Sequence, residues 1–245
     1  MRGFDSRRGL KVYYNTPDMR PNVTLARSLI QSALMLVGAL VINYFSALYA
    51  FERASNSVTD IILSNIPVFD VDWIFIWGPI IFWAIMAIPL LKSPDRIPYT
   101  LKSVALFILI RSLFVSLTHL GPFPDKTPLD VYGAHWIANY FHANPIYSFV
   151  FSSGSDLFFS GHTGMPFLIG LVFWEHKIIR TFCFAASLFF GAVVLMGHLH
   201  YSIDVVSAFF ITYAIYHIAM RAFKNDRARF DASYAHAKAG LEVAK

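Results

Sequence analysis

Six apolar runs divided by polar connections constrain this chain more than any other feature of its sequence. They extend from Ser28 to Ala50, Trp73 to Leu91, Ile97 to Thr118, Thr163 to Trp174, Ile178 to Met196 and Ile203 to Met220. A helix needs about 20 apolar residues to cross the hydrocarbon of a bilayer, and every run but the fourth reaches or approaches that length. In lipid, only helices and closed barrels satisfy all their own backbone groups. A hydrophobic fraction of 56% against 14% charged residues lies outside the habits of soluble domains. The expected fold is therefore all-α, an integral membrane bundle of six transmembrane helices. Because the fourth run is short, its polar N-terminal end must lie inside the membrane boundary, sheltered by neighbouring helices.

Charge orients the bundle. Six of the 20 Lys and Arg precede the first run and six lie at or after the end of the last. Lys92, Arg96 and Lys102 flank the turn between runs two and three, and Lys177 and Arg180 sit between four and five, whereas the alternate connections carry only Arg53 and Lys126. By the positive-inside rule both termini are cytoplasmic, so the net charge of +5 reports topology and not a nucleic-acid partner. The expected division is a cytoplasmic N-terminal tail at 1–27, a six-helix membrane domain at 28–222 and a cytoplasmic C-terminal tail at 223–245. The first run is too long for a signal-peptide core and no small-residue cleavage site follows it, so it is expected to be retained. Trp73 and Trp77 open the second run as interfacial anchors. In the long outer connection, Leu129, Tyr132, Trp136 and Tyr140 recur at helical spacing and predict a short helix along the interface from Leu129 to Phe141.

Two polar islands interrupt the apolar sequence, Gly154 to Thr163 and Gly197 to Asp204, and the charge pattern puts both on the outer face. Ionisable groups in a membrane are costly unless they are used. His200 and Asp204 are four residues apart, one helical turn on one face, where a carboxylate can orient an imidazole and strengthen it as a nucleophile. His162 follows Ser160-Gly161 at an expected helix N-terminus, a natural anion site, and Gly161 and Gly164 would let a phosphate approach the backbone. Arg111, inside the third run, should point into the bundle and could hold the same phosphate in a bidentate contact. Asp156 either takes part in the site or caps a helix. Together these residues describe a phosphoryl-transfer site with a phosphohistidine intermediate. No metal or other cofactor is expected, since Arg111 and the helix dipole supply positive charge. His119, His135, His142, His176 and His217 read as interfacial or hydrogen-bonded histidines, the role of His198 stays open, and the lone Cys183 reads as a packed small hydrophobe.

Ser160-Gly161-His162-Thr163 preceded by Asp156, and His200-Tyr201-Ser202-Ile203-Asp204-Val205 followed by Ala208 to Thr212, resemble the catalytic motifs of the sphingomyelin synthase family. That family is a branch of the type 2 phosphatidic acid phosphatase superfamily. Arg111 to Thr118, continuing through Pro122 and Pro124, is similar to the family's arginine-containing third-span motif, and Ser57 to Asn65 with Asp60 more faintly resembles its acidic first-loop motif. The resemblance implies His200 as nucleophile, Asp204 as its orienter, His162 as acid and base, six helices and a non-cytoplasmic active face. Val194 stands where the phosphatase branches carry an Arg six positions before the nucleophilic His, and no Lys-rich first motif is present, which favours the synthase-like branch. The expected activity is transfer of a phospho-headgroup from a membrane phospholipid to a lipid hydroxyl of the ceramide or diacylglycerol kind. Its rivals are a lipid phosphatase or phospholipase C-like hydrolase on the same residues, a non-catalytic membrane protein or transporter on the same scaffold, and, last, a histidine metal site. The compact chain points to a bacterial inner membrane ahead of a Golgi or plasma membrane.

Overall fold

The computed structural model describes residues 24–124 and 157–243. The described chain forms α1 (Leu25–Glu52), α2 (Asp72–Lys92), α3 (Ile97–Leu117), α4 (Gly161–Val172), α5 (Lys177–Met196), α6 (Ser202–Ala222) and α7 (Lys224–Val243), with short 3-10 turns at Leu63–Asn65 and Pro94–Arg96. No strand occurs among the described residues. Five helices, α1, α2, α3, α5 and α6, are long and apolar enough to cross a membrane. Their exposed faces carry large apolar side chains, such as Ile81, Ile85 and Ile88 on α2 and Leu113 and Leu117 on α3, as lipid-facing surfaces require. Trp73 and Trp77 are exposed and stack on each other at the start of α2, ring centroids 5.9 Å apart.

The fourth apolar run departs from a full span. Its helix, α4, has 12 residues and rises about 18 Å, short of the roughly 30 Å of a bilayer's hydrocarbon. Instead α4 is enclosed: Leu168, Ile169 and Val172 are all fully buried. Small residues let its neighbours approach. A Cβ on Gly164 would lie 2.8 Å from both the Phe107 ring of α3 and Thr212 Oγ1 of α6, and one on Gly170 would lie 2.4 Å from the Phe184 ring of α5. Gly164 is therefore a packing residue, not the phosphate approach expected from its place after His162, because the space its missing side chain leaves is already filled.

The main core cluster running through these helices is aromatic-rich and includes Phe82, Tyr99, Phe107, Phe159, Phe173 and Phe190. Cys183 is fully buried with Met86 Sδ 3.8 Å away, the packed hydrophobe its sequence context suggested. Residues 224–243 form a helix whose described side chains dock on the bundle. Phe230 is buried edge-on to Tyr99 and Phe173, Arg96 Nε donates to Ser233 Oγ at 3.0 Å, and Tyr234 OH donates to the Glu175 carbonyl at 2.9 Å. Arg227 Nη1 donates to the Val172 carbonyl at 3.3 Å, satisfying one of the acceptors that a helix end leaves open. The interfacial helix expected at Leu129 to Phe141 lies outside the described residues.

Candidate active site

The four residues from Leu157 to Ser160 tie the two polar islands to each other and to α3. Ser160 is the N-cap of α4: its hydroxyl accepts from the Thr163 N–H at 3.4 Å, a standard way of satisfying a first-turn donor. In the other direction the Ser160 N–H donates to the Asp204 carbonyl of α6 at 3.1 Å. The Phe159 carbonyl accepts from Arg111 Nε at 2.9 Å, and the Leu157 carbonyl lies 2.8 Å from His200 Nδ1. One short segment thus holds an arginine, a histidine and the start of two helices.

His200 is buried, and its Nδ1 faces two oxygens, Leu157 O at 2.8 Å and Asp204 Oδ2 at 3.4 Å. A nitrogen flanked by two acceptors carries the proton, which leaves Nε2 with its lone pair in the neutral ring; no described hydrogen bond occupies Nε2. The orienting role expected of Asp204 is therefore shared with a backbone carbonyl that is the nearer of the two. Asp204 itself is fully buried. Its Oδ2 also accepts from the Tyr201 N–H at 3.0 Å, closing a capping box at the N-terminus of α6, and Oδ1 has no partner among the described residues.

Arg111 is buried as expected, and its guanidinium lies along Gly161: a Cβ there would sit 3.4 Å from Arg111 Nε. Arginine and the first residue of α4 together present positive potential at one point, through a fixed cation and a helix N-terminus. His162 occupies the first turn of α4, but its ring turns towards α2. It stacks on Phe75 with centroids 4.1 Å apart and meets Phe190 edge-on, and Nε2 lies 3.1 Å from the Phe75 carbonyl. That carbonyl is available because the residue four positions on is Pro79, which has no N–H to give it. The geometry assigns the proton to Nε2, since a carbonyl only accepts. Asp156 lies outside the described residues.

Spacing did not reveal the loop that braces this site. Asp60, between α1 and α2, accepts at Oδ2 from Ser202 N–H at 2.7 Å and Ser202 Oγ at 2.8 Å, and at Oδ1 from Ile62 N–H at 2.8 Å and Leu63 N–H at 3.1 Å. Burial by itself would raise its pKa, but these four donors outweigh it and hold the carboxyl below the usual carboxylate range. The neighbouring Tyr201 hydroxyl donates to the Gly121 carbonyl at 2.8 Å and accepts from the Val58 N–H at 3.2 Å. Gly121 is required there, since a Cβ would lie 2.1 Å from the Ser55 carbonyl. The first loop and the chain after α3 are thereby pinned onto Tyr201-Ser202, immediately after His200. The only prior sign of this was the faint first-loop likeness around Asp60.

His198 is also buried, edge-on to Phe123, with its backbone at φ 51° and neither ring nitrogen partnered among the described residues. A left-handed backbone is uncommon outside glycine; here it turns the chain from the end of α5 to His200.

Apolar helices of spanning length enclosing a buried imidazole, carboxylate and guanidinium define a membrane protein with a polar site at one end of its bundle. Residues 154–221, which take in both polar islands and α4 to α6, match the family described as PAP2 superfamily C-terminal. The match takes in 68 of the 245 residues and is a likeness of that part of the chain to the type 2 phosphatidic acid phosphatase superfamily. No curated protein matches the chain.

Proposed function

We propose that the protein is a lipid phosphotransferase of the sphingomyelin synthase kind, working through a phosphohistidine. The observation that carries this reading is the pairing of His200 Nδ1 with Leu157 O and Asp204 Oδ2, which leaves Nε2 as the attacking atom, in a site where Arg111 is bonded to Phe159 beside Gly161. His200 Nε2 forms a bond to the phosphorus of a phospholipid headgroup while the bond from phosphorus to the diacylglycerol oxygen breaks. His162 gives that oxygen a proton. An acceptor lipid hydroxyl then loses its proton to His162 and attacks phosphorus, and the P–N bond to His200 breaks. Arg111 and the first turn of α4 stabilise the charge that develops on the phosphoryl oxygens. Asp156 serves the headgroup or acceptor, and the active face is non-cytoplasmic with both termini inside.

Hydrolysis is the second reading, and the family match favours it as much as transfer: water takes the place of the acceptor hydroxyl and the other steps are unchanged. Purified protein given a headgroup-labelled phospholipid, with and without ceramide or diacylglycerol, separates the two. Label in a new lipid supports transfer and label in water supports hydrolysis. Label that stays in the donor under both conditions would overturn both.

A further inference from the structure

At the end of the bundle away from His200, a cavity of about 180 Å³ opens between the start of α1, α3 and the junction of α6 with α7. It lies about 27 Å along α6 from Asp204, counting the 18 residues to Ala222 at the helical rise. Lys102, Lys224 and Arg229 line it together with Gln31 and Asn225, and Asp226 is the one carboxylate in its wall. Lys102 Nζ meets Asp226 Oδ2 at 2.6 Å and Arg229 Nη1 meets Asp226 Oδ1 at 3.5 Å, so two cations share one anion. Arg229 also reaches the half-exposed Asp95 at 3.9 Å.

We infer that this cavity is a binding site for the phosphate of an anionic lipid headgroup, separate from the site at His200. A clasp that only docks α7 would need Lys102, Arg229 and Asp226. Lys224 makes no described ion pair, and with Gln31 and Asn225 it surrounds a void large enough for about six water molecules, donors and space for which a clasp has no use. The excess of positive charge selects an anion, and the Lys and Arg donors suit a phosphate oxygen. Ser28 and Ala222 in the cavity wall lie close to the ends of the spans α1 and α6, which sets the cavity at headgroup depth. Basic side chains at that depth recognise anionic lipids.

The test uses the full chain in nanodiscs of phosphatidylcholine alone or with phosphatidylglycerol, reading retained lipid by native mass spectrometry and the unfolding midpoint by heating. Phosphatidylglycerol should be retained selectively and raise the midpoint. Lys224→Gln, at an exposed residue with no described ion pair, should lower its retention about fivefold, the weight of one basic group at a membrane surface, and Lys102→Gln should lower it further. Lys177→Gln removes an exposed charge outside the cavity and should leave retention unchanged. Displacement of the lipid by millimolar glycerol phosphate would assign the cavity to phosphates from either source, and its failure to displace would assign it to the lipid. Equal retention of the two phospholipids, or an equal loss in the Lys177 and Lys224 variants, would overturn the inference.

Discussion

The two ends of the bundle stabilise buried charge in opposite ways. Near His200, charged and polar side chains bond to the backbone: Arg111 to Phe159 O, His200 to Leu157 O, Asp60 to the amides of Ser202, Ile62 and Leu63. Around α7, they pair chiefly with one another, Lys102 and Arg229 with Asp226 and Arg227 with Asp231 at 3.0 Å. Backbone groups are fixed by the helices they begin or end, so a side chain bonded to them is held in place. Mutual ion pairs consume the charges they position. The first arrangement suits a reactive site, and the second suits the docking of a helix.

The comparison breaks most decisively at His200. Replacing it with Ala should lower turnover at least about 10⁴-fold, as loss of a nucleophile does. Surviving turnover in the labelled-lipid assay would remove the nucleophile assignment. Arg111→Lys keeps the charge but not the planar fork, and a loss of roughly 10²-fold or more in kcat is expected for a group that stabilises charge in the transition state. Near-normal kinetics would reduce Arg111 to a structural tie.

Asp60→Ala should act on stability as well as rate. It strands the Ser202 amide and hydroxyl and two loop amides, and hydrogen bonds to a charged group are worth about 2 kcal/mol; a drop of that order in unfolding free energy with a fall in kcat at unchanged KM is expected. Because the Asp60 carboxyl titrates below its ordinary value of 3.8, its contribution is present above that pH and is lost as pH falls through the lower, folded value. A stability profile of Asp60→Asn that still falls with acid as the parent does would contradict this.

The smallest effect belongs to the other end. Burial first, and then the positive charge of Arg96, push His176 down to about 4 from 6.5. A histidine depressed in the folded state contributes fully above pH 6.5, and that contribution is lost as pH falls from 6.5 towards 4, because the unfolded chain takes up a proton that the folded one refuses. Its ring meets Tyr234 of α7 with centroids 4.4 Å apart, so the undocking of α7 should become easier over that window. Hydrogen exchange in α7 at pH 7 and pH 5 checks this, and His176→Phe should flatten the difference while leaving lipid turnover unchanged.

Much of this was legible in the chain. Apolar runs of spanning length become five candidate spans, because hydrophobic length is a property of consecutive residues. The i, i+4 pair of His200 and Asp204 appears in the structure because one helical turn sets their spacing, and Arg111 is buried because a charge in an apolar helix has nowhere cheaper to lie. The reading of Gly164 failed for an equally physical reason: a missing side chain serves a close ligand and a close helix equally well, and which one arrives depends on Phe107 and Thr212, residues distant in sequence.

By itself the sequence determined the helices, their lipid-facing character and the residue types available for chemistry. Tertiary structure decided which atoms of those residues are engaged. The Leu157 carbonyl lies 43 positions from His200, and Asp60 lies 142 positions from Ser202. No periodicity connects residues so far apart. Only the closing of the loops around α4 and α6 brings them within hydrogen-bonding distance.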